Sequence, residues 1–573
     1  MKSHRRPLKF ALFTNGTNYP IHLATSEIIE SELAHLPRSL HLAVGSSVNS
    51  MRVSFEARDL MNTASVRFGT TSGGPYENEI HAIPTTYGRD DMCGPPATTY
   101  GFFEPPWFYS ALLRNLTAGT RYFYVVSCNG TSEERSFRGP PVPNADATLH
   151  ITALADMGET YEDGSQYHWM EPYAINTTSG AIHPWDDTYK FHDDLKRMTL
   201  NPHGESESGK EGPPQGHTMK WISKSDVESD VILHIGDLSY ATGFESEWDI
   251  FMSQIEPIAS SIPYMIAQGN HERDFPNSGS AFTGGDSGGE CGIPTQHRFR
   301  MPTLSGRQDN GWYSFDMGPV HFIIMDTEMN AFKSSTQYDF FKSDLEKVDR
   351  SVTPWIIFSG HRPMYSSSDG ISGLDLQNGK WWPDVEQLLL QYEVDLCLWG
   401  HVHNAEVTCP LRNGTCAETS DDEYCGIVHA VIGNAGQSLS KFKDGYFDWS
   451  LWRFAEFGYS SIEVSGRKNL TMRFFADSNH SIVYEFTIHG KNHGSIDQKP
   501  NTCSRCLIDN CCPDDLKCIA DGHDGSCTTC TGEYESVCGD KCCKSGQECH
   551  GNKQSGYACT LPLLGNFRRS TRF

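Results

Sequence analysis

Five short apolar runs in this chain end alike, in one or two small residues and then a side chain able to bind a metal. Val231 to Ile235 runs into Gly236-Asp237-Leu238-Ser239-Tyr240. Ile151 to Ala155 ends in Asp156-Met157-Gly158, and Pro263 to Ala267 leads to Gly269-Asn270-His271-Glu272. Trp355 to Phe358 meets Ser359-Gly360-His361, and Val394 to Trp399 meets Gly400-His401-Val402-His403. Apolar runs of this length, bounded by breakers, read as buried strands. In open α/β sheets ligands gather outside the carboxyl ends of the strands. A carboxylate such as Asp237 at the end of a buried strand costs free energy unless it is paired or holds a metal, and its two oxygens can bridge two cations. A phenolate three residues on, at Tyr240, is a hard anionic ligand suited to a trivalent ion. A single motif of this kind has an ordinary reading as a strand-end turn; five in one chain point to a shared site.

In this order the motifs resemble the purple acid phosphatases, a branch of the calcineurin-like metallophosphoesterases. The family blocks D-x-G, G-D-x-x-Y, G-N-H-E/D, V-x-x-H and G-H-x-H match the five stretches above, with Phe358 in place of Val at a strand position that is not a ligand. The Tyr of the second block separates this branch from the wider superfamily. The likeness covers roughly residues 35 to 490. It is nearest the large plant-type members, judged by Gln254-Ile255-Glu256-Pro257-Ile258-Ala259-Ser260 and Gly285-Asp286-Ser287-Gly288-Gly289-Glu290-Cys291-Gly292.

The resemblance implies an α+β multidomain chain: a fibronectin III-like β-sandwich, then a four-layer αββα metallophosphoesterase domain. It implies a ferric ion on Asp156, Tyr240, His403 and bridging Asp237. A divalent ion (zinc, manganese or iron) would sit on Asn270, His361, His401 and the same Asp237. Carboxylate and phenolate suit the harder ion, imidazole and amide the softer one. The implied activity is that of an acid phosphatase acting on monoesters of small phosphorylated substrates with a hydroxide nucleophile. His271 would bind phosphate beside Asn270 and protonate the leaving group, and Glu272 would support the ligands. One departure bears on specificity. Well-known plant members carry paired histidines between the last two blocks, whereas no histidine lies between His361 and His401 here. Arg362 and Tyr365 are the nearby polar alternatives. A phosphodiesterase or nucleotide pyrophosphatase on the same centre is therefore a rival reading. A non-catalytic secreted glycan- or wall-binding protein is the alternative from another class.

With 573 residues, three or so domains are expected. Divisions fall at 1–34, an N-terminal extension; 35–145, the sandwich; 146–495, the catalytic domain; and 496–573, a cysteine-rich tail. The net charge of −26 argues against a nucleic-acid or anionic-membrane surface. No run has the apolar length of a membrane span. Twelve of the 19 cysteines lie between Cys503 and Cys559. There Cys511-Cys512 with Cys518 repeats as Cys542-Cys543 with Cys549, a knottin-like disulfide framework typical of an oxidising compartment. A zinc reading of Cys503-x-x-Cys506 and Cys527-x-x-Cys530 lacks matching histidines. The tail is a candidate for glycan or wall contact. Sequons at Asn15, Asn115, Asn129, Asn176, Asn413, Asn469 and Asn479 also suggest a secreted or vacuolar–lysosomal glycoprotein. The apolar run Phe10 to Phe13 is too short for a signal-peptide core, so an export signal is expected upstream of this start or is missing.

Within the sandwich, Met51 to Phe55, Ser65 to Phe68 and Tyr122 to Val126 alternate as strands. Cys93 and Cys128 are a possible pair, two of Cys409, Cys416 and Cys425 another, and Cys397 the candidate free thiol. Gly139 to Pro143 reads as a linker, and 161–215 as a polar insertion placed to act as a lid or to lie in solvent. Gly284 to Gly289 does not fit a nucleotide cradle and reads as a pocket rim. Leu470 to Phe475 and Val483 to Ile488 suggest a closing hairpin.

Overall fold

The computed structural model describes residues 9–14, 21–29, 36–158, 218–224, 229–302, 311–368, 381–416, 426–445 and 447–490, together with short backbone strands between Leu516 and Thr560. The 161–215 insertion and the side chains of the cysteine-rich tail, with the expectations attached to them, lie outside the described residues.

The first unit is a sandwich of two four-stranded antiparallel sheets. One holds Arg38–Val44, Met51–Ala57, Trp107–Leu113 and Ile83–Thr85; the other holds Arg135–Arg138, Arg121–Ser127, Ser65–Gly69 and Asn78–His81. The alternating residues meet inside: Val53, Phe55, Val66, Tyr109, Tyr124 and Val126 share one core.

The second unit is built on two mixed sheets. In one, Thr148–Leu154, Val231–Ile235 and Tyr264–Ala267 run parallel, and Gly458–Ser465, Asn469–Ala476 and Ser481–His489 extend it antiparallel. The last two strands are the expected hairpin. In the other, Val320–Ile324, Trp355–Gly360, Leu396–Trp399 and Val428–Ile432 run parallel. The sheets face each other across a core that joins Ile151, Val231 and Leu233 to Phe322, Ile357 and Leu398. Alternate residues point outward. Leu154 and Ile232 lie under Trp248, Phe251 and Ile255 of the helix Glu245–Ala259. Ile323, Phe358 and Trp399 lie under Phe341, Val385 and Leu389 of the helices Thr336–Leu345 and Trp382–Gln391. Strands covered on both faces must be apolar throughout, which is why they read as unbroken runs. The result is the four-layer αββα arrangement. All five motif-bearing strands end on one side of it, three from one sheet and two from the other.

The two units are locked together by polar contacts. Arg298, fully buried, donates to Glu245 and to Tyr87 Oη, and its backbone carbonyl faces His41. Tyr124 Oη donates to the Ser260 carbonyl. The expected Cys93–Cys128 pair does not form: Cys93 bonds Cys291, 198 positions away, while Cys128 stays buried and reduced in the sandwich core. The Cys93 loop leaves the sandwich and runs along the glycine-rich rim, where Cys93 N donates to the Gly289 carbonyl. Cys409 bonds Cys416, and Cys397 is a buried free thiol, as expected.

His321 gives the fold a measurable pH dependence. Its ring sits between Asp316 Oδ1 at 2.6 Å and Asp344 Oδ2 at 2.9 Å. Burial alone would lower its pKa, but the two carboxylates outweigh burial and raise it to about 9. The charged form is thus favoured by folding. The stabilisation is complete below the unfolded value near 6.5 and is lost as pH rises through about 9. It amounts to at most ~3 kcal/mol. Urea unfolding of the wild type should weaken between those pH values more than that of His321→Gln. Equal slopes would remove His321 as the cause.

Candidate metal centre

The strand ends turn back sharply. Asp156, Asp237, Tyr240 and His401 have φ of 60°, 49°, 52° and 67°, the left-handed region that side-chain-bearing residues enter only when the surroundings hold them there. The small residues preceding the motif side chains have a steric cause. Gly236 has φ 80°, and a Cβ on it would lie 2.5 Å from His361 Nδ1. A Cβ on Gly400 would lie 2.7 Å from Asp156 Oδ2.

Seven side chains expected from the sequence converge. Two groups, Asp237–His361–His401 and Asp156–Asp237–His403, each have ligand atoms within 4.8 Å of one another, and Asp237 belongs to both. Asn270 Oδ1 lies 3.0 Å from His361 Nε2 and 2.7 Å from His401 Nδ1. Tyr240 Oη lies 3.1 Å from Asp156 Oδ1 and 2.9 Å from His403 Nε2. Asp237 Oδ2 is 3.2 Å from His361 Nε2. Donors bound at ~2.0–2.2 Å stand ~3 Å apart around an ion, so these spacings fit two metals. Orientation fits as well. His361 Nδ1 faces the Ile235 carbonyl, which can only accept, so a proton sits there and Nε2 is the ring atom left to face a metal. His403 Nδ1 is held by Ser438 Oγ. Asn270 Nδ2 donates to Asp286 Oδ2, which turns Oδ1 inward.

The charge balance asks for cations. Asp156 and Asp237 are buried to 0 and 1% exposure. Burial, then Asp156 and Asp237, push the Tyr240 phenol well above its ordinary value. Burial would raise Asp237, but His361 and then His271 outweigh it and hold the carboxyl well below the usual range. Burial would lower His361, yet Asp237 and Asp156 raise it to about 10. A bound cation would invert these tendencies and favour phenolate and neutral imidazole.

Glu272 supports the site from behind. It accepts from the backbone N–H groups of Gly269, Asp237 and Leu238, tying two motif loops together. Burial, then Asp237, lift its pKa to about 8. His271 lies at the pocket edge, its side chain 28% exposed. Its Nδ1 faces the Asp286 carbonyl at 3.1 Å, and Nε2 is 3.9 Å from Asp237 Oδ2. The glycine-rich rim thus borders the site through Asp286.

Of the two alternatives to the missing histidines, only one is at the site. Arg362 Nη1 lies 3.2 Å from His401 Nε2, and the guanidinium pairs with buried Glu328 while lying 3.9 Å over the Phe282 ring. Tyr365 instead points into the core and donates to Glu386. Sequence reasoning missed Asp286, Glu328 and Ser438. Asp286 was visible only as one polar residue in the rim loop. Among the sequons, Asn115, Asn129, Asn413 and Asn479 are exposed, Asn469 is half-buried against His489, and Asn15 and Asn176 lie outside the described residues.

Stacked mixed sheets with metal-competent side chains gathered at their strand ends define a metallophosphoesterase domain. The family model for calcineurin-like phosphoesterase matches residues 182–405, a span that starts after Asp156. The models for the purple acid phosphatase N-terminal domain and for the iron/zinc purple acid phosphatase-like protein C match 37–139 and 426–485. The chain belongs to the purple acid phosphatase family. It is 31% identical over 528 residues to "Probable inactive purple acid phosphatase 27" of Arabidopsis thaliana, covering 90% of this chain and 78% of that one. It is 30% identical over 388 residues to the "Nucleotide pyrophosphatase/phosphodiesterase" of Hordeum vulgare, covering 66% of this chain and 92% of the relative. The solved structure of purple acid phosphatase PPD1 from yellow lupin seeds superposes with a TM-score of 0.71 at 30% identity, covering 85% and 80% of the two chains.

Proposed function

We propose that the protein is an active metal-dependent acid phosphatase that hydrolyses monoesters of small phosphorylated molecules. The observation that carries this reading is the pair of donor groups sharing Asp237, with none of the seven expected side chains missing. It supports hydrolysis here although the Arabidopsis relative bears the word inactive in its name. Asp156, Asp237, Tyr240 and His403 would hold a ferric ion, and Asp237, Asn270, His361 and His401 a divalent zinc, manganese or iron. Bound there, the ions would polarise the phosphoryl oxygens and lower the pKa of water far below its bulk value of ~15.7, the more so for a trivalent ion at acidic pH. His271, with Nδ1–H directed at the Asp286 carbonyl, keeps Nε2 for the pocket, where it hydrogen-bonds phosphate and passes a proton to the leaving oxygen. Asn270 amide and Arg362 guanidinium supply further donors. The exposed sequons support a glycosylated secreted or vacuolar protein, and a mass shift on enzymatic deglycosylation tests that.

A second reading, hydrolysis of phosphodiester or pyrophosphate bonds, is favoured by Arg362. A fixed cation beside His401 suits an extra phosphate charge better than a titrating histidine pair, and the barley relative is named for that activity. Comparing kcat/KM for a phosphate monoester and a dinucleotide pyrophosphate decides between them. A faster pyrophosphate would replace the monoesterase reading, and no turnover of either would reject both.

Removing Arg362 alone would strand buried Glu328, so the informative variant is Arg362→Gln with Glu328→Gln. It should retain its metals and lose ~10–100-fold in kcat/KM, the effect of one charge-assisted hydrogen bond to substrate. Unchanged kinetics would place Arg362 away from the substrate.

A further inference from the structure

The glycine-rich rim beside the metal centre is held from two directions. On one side it is tied to the segment that follows Asn270 and His271. Gly284 N donates to Asp274 Oδ2, Ser287 N to the Asp274 carbonyl, and Gly292 N to the Glu272 carbonyl. On the other side it rests on the sandwich loop 93–101. Cys93 N donates to the Gly289 carbonyl, Ala97 N donates to the Gly288 carbonyl, and the Cys93–Cys291 disulfide closes the contact. The backbones meet so closely that only glycine fits: a Cβ on Gly289 would collide with the Gly94 carbonyl, and one on Gly288 with the Thr242 carbonyl. The loop is itself firmly seated. Met92 and Ala97 pack with Tyr87 and Phe108 in a buried cluster that Ile293 of the catalytic unit joins. Asp286 lies in the turn 285–288, which is closed by Gly288 N donating to the Gly285 carbonyl and so ends on the sandwich contact. Asp286 Oδ2 accepts from Asn270 Nδ2 at 3.0 Å, and the Asp286 carbonyl faces His271 Nδ1 at 3.1 Å.

We propose that Asp286 is a positioning residue for Asn270 and His271, and that the sandwich sets its place through the Cys93–Cys291 tether. The inference rests on the two-metal reading above and adds to it a part for the sandwich in the reaction. A carboxylate accepts hydrogen bonds and donates none, so Asp286 leaves Asn270 one orientation, with Oδ1 toward His361 and His401. Groups that orient a metal ligand govern affinity nearly as strongly as the ligand does. The Asp286 carbonyl likewise leaves His271 Nε2 for the pocket. His403, on the ferric side, takes its support from Ser438 Oγ instead. Loss of the rim contact should therefore fall on the divalent side of the centre.

Equilibrium dialysis of zinc against the iron-loaded protein, followed by elemental analysis, tests the tether without relying on turnover. Asp286→Ala should weaken zinc binding by ~10–100-fold and leave the iron in place. Asp286→Asn, whose amide oxygen can take the same hydrogen bond, should restore most of the affinity. Cys93→Ser with Cys291→Ser should show a similar selective loss. Asp286→Ala added to that pair should cost little more, because both changes act on one contact. A disulfide that only staples the two units would lower resistance to urea in the serine variant and leave zinc affinity at the wild-type value, and that result would overturn the proposal. Normal zinc binding by Asp286→Ala, or additive losses in the triple variant, would do the same. A wild type that takes up no zinc beside its iron would fail the two-metal reading itself, and this inference with it.

Discussion

Asp237→Asn protein is expected to emerge from purification folded but short of both metals. Asp237 is the one side chain common to the two donor groups, so its loss weakens two sites at once. The substitution is chosen to spare the backbone. Asparagine tolerates the left-handed conformation that Asp237 adopts at φ 49°, and its Oδ1 can still accept from His271 N. What disappears is the negative charge and the second anionic oxygen now 3.2 Å from His361 Nε2. A neutral amide bridges two cations poorly. Changes to residues that merely orient ligands already cost ~10–100-fold in metal affinity, so more than ~100-fold is expected here. Hydrolysis should fall in proportion to the metal lost. Elemental analysis of the variant beside wild type measures this directly. Two ions per chain with full activity would show that Asp237 does not bridge.

Tyr240→Phe is expected to remove colour. Tyr240 Oη stands beside Asp156 Oδ1 and His403 Nε2, on the side of the site proposed for the ferric ion. A phenolate on Fe³⁺ donates charge to the metal under visible light, so the oxidised wild type should absorb broadly in the visible. The band should vanish in Tyr240→Phe. It should largely persist in His401→Ala, because His401 faces Asn270 and His361 in the other group. Turnover need not vanish with the colour, since the phenol contributes ligand charge and does not attack phosphorus. A colourless, active, fully metallated wild type would replace the ferric ion with a divalent one and leave Tyr240 as a neighbour.

Much of this was legible in the linear chain for a physical reason. Strands buried on both faces must be apolar along their length, and a ligand that turns back over its own strand end needs a small residue beside it. Val231 to Ile235 followed by Gly236 and Asp237 carries both signals. The partition of the five strands between two sheets carried no such mark, because each strand has the same pattern in either sheet. Side-chain direction was equally hidden: Arg362 and Tyr365 stand three positions apart, yet one meets His401 and the other enters the core beside Glu386. The Cys93–Cys128 expectation failed because both cysteines fall within the sandwich segment, while the Cys93 loop crosses to Cys291 in the other unit.

The most direct test is to measure bound metal and turnover on one preparation of the purified chain. Two ions per chain are expected, with hydrolysis of a phosphate monoester that is abolished by chelation and restored when metal is returned. Two ions per chain with no hydrolysis of monoester, diester or pyrophosphate would contradict the proposed activity. It would mean that the donors around Asp237 hold metal without serving a reaction.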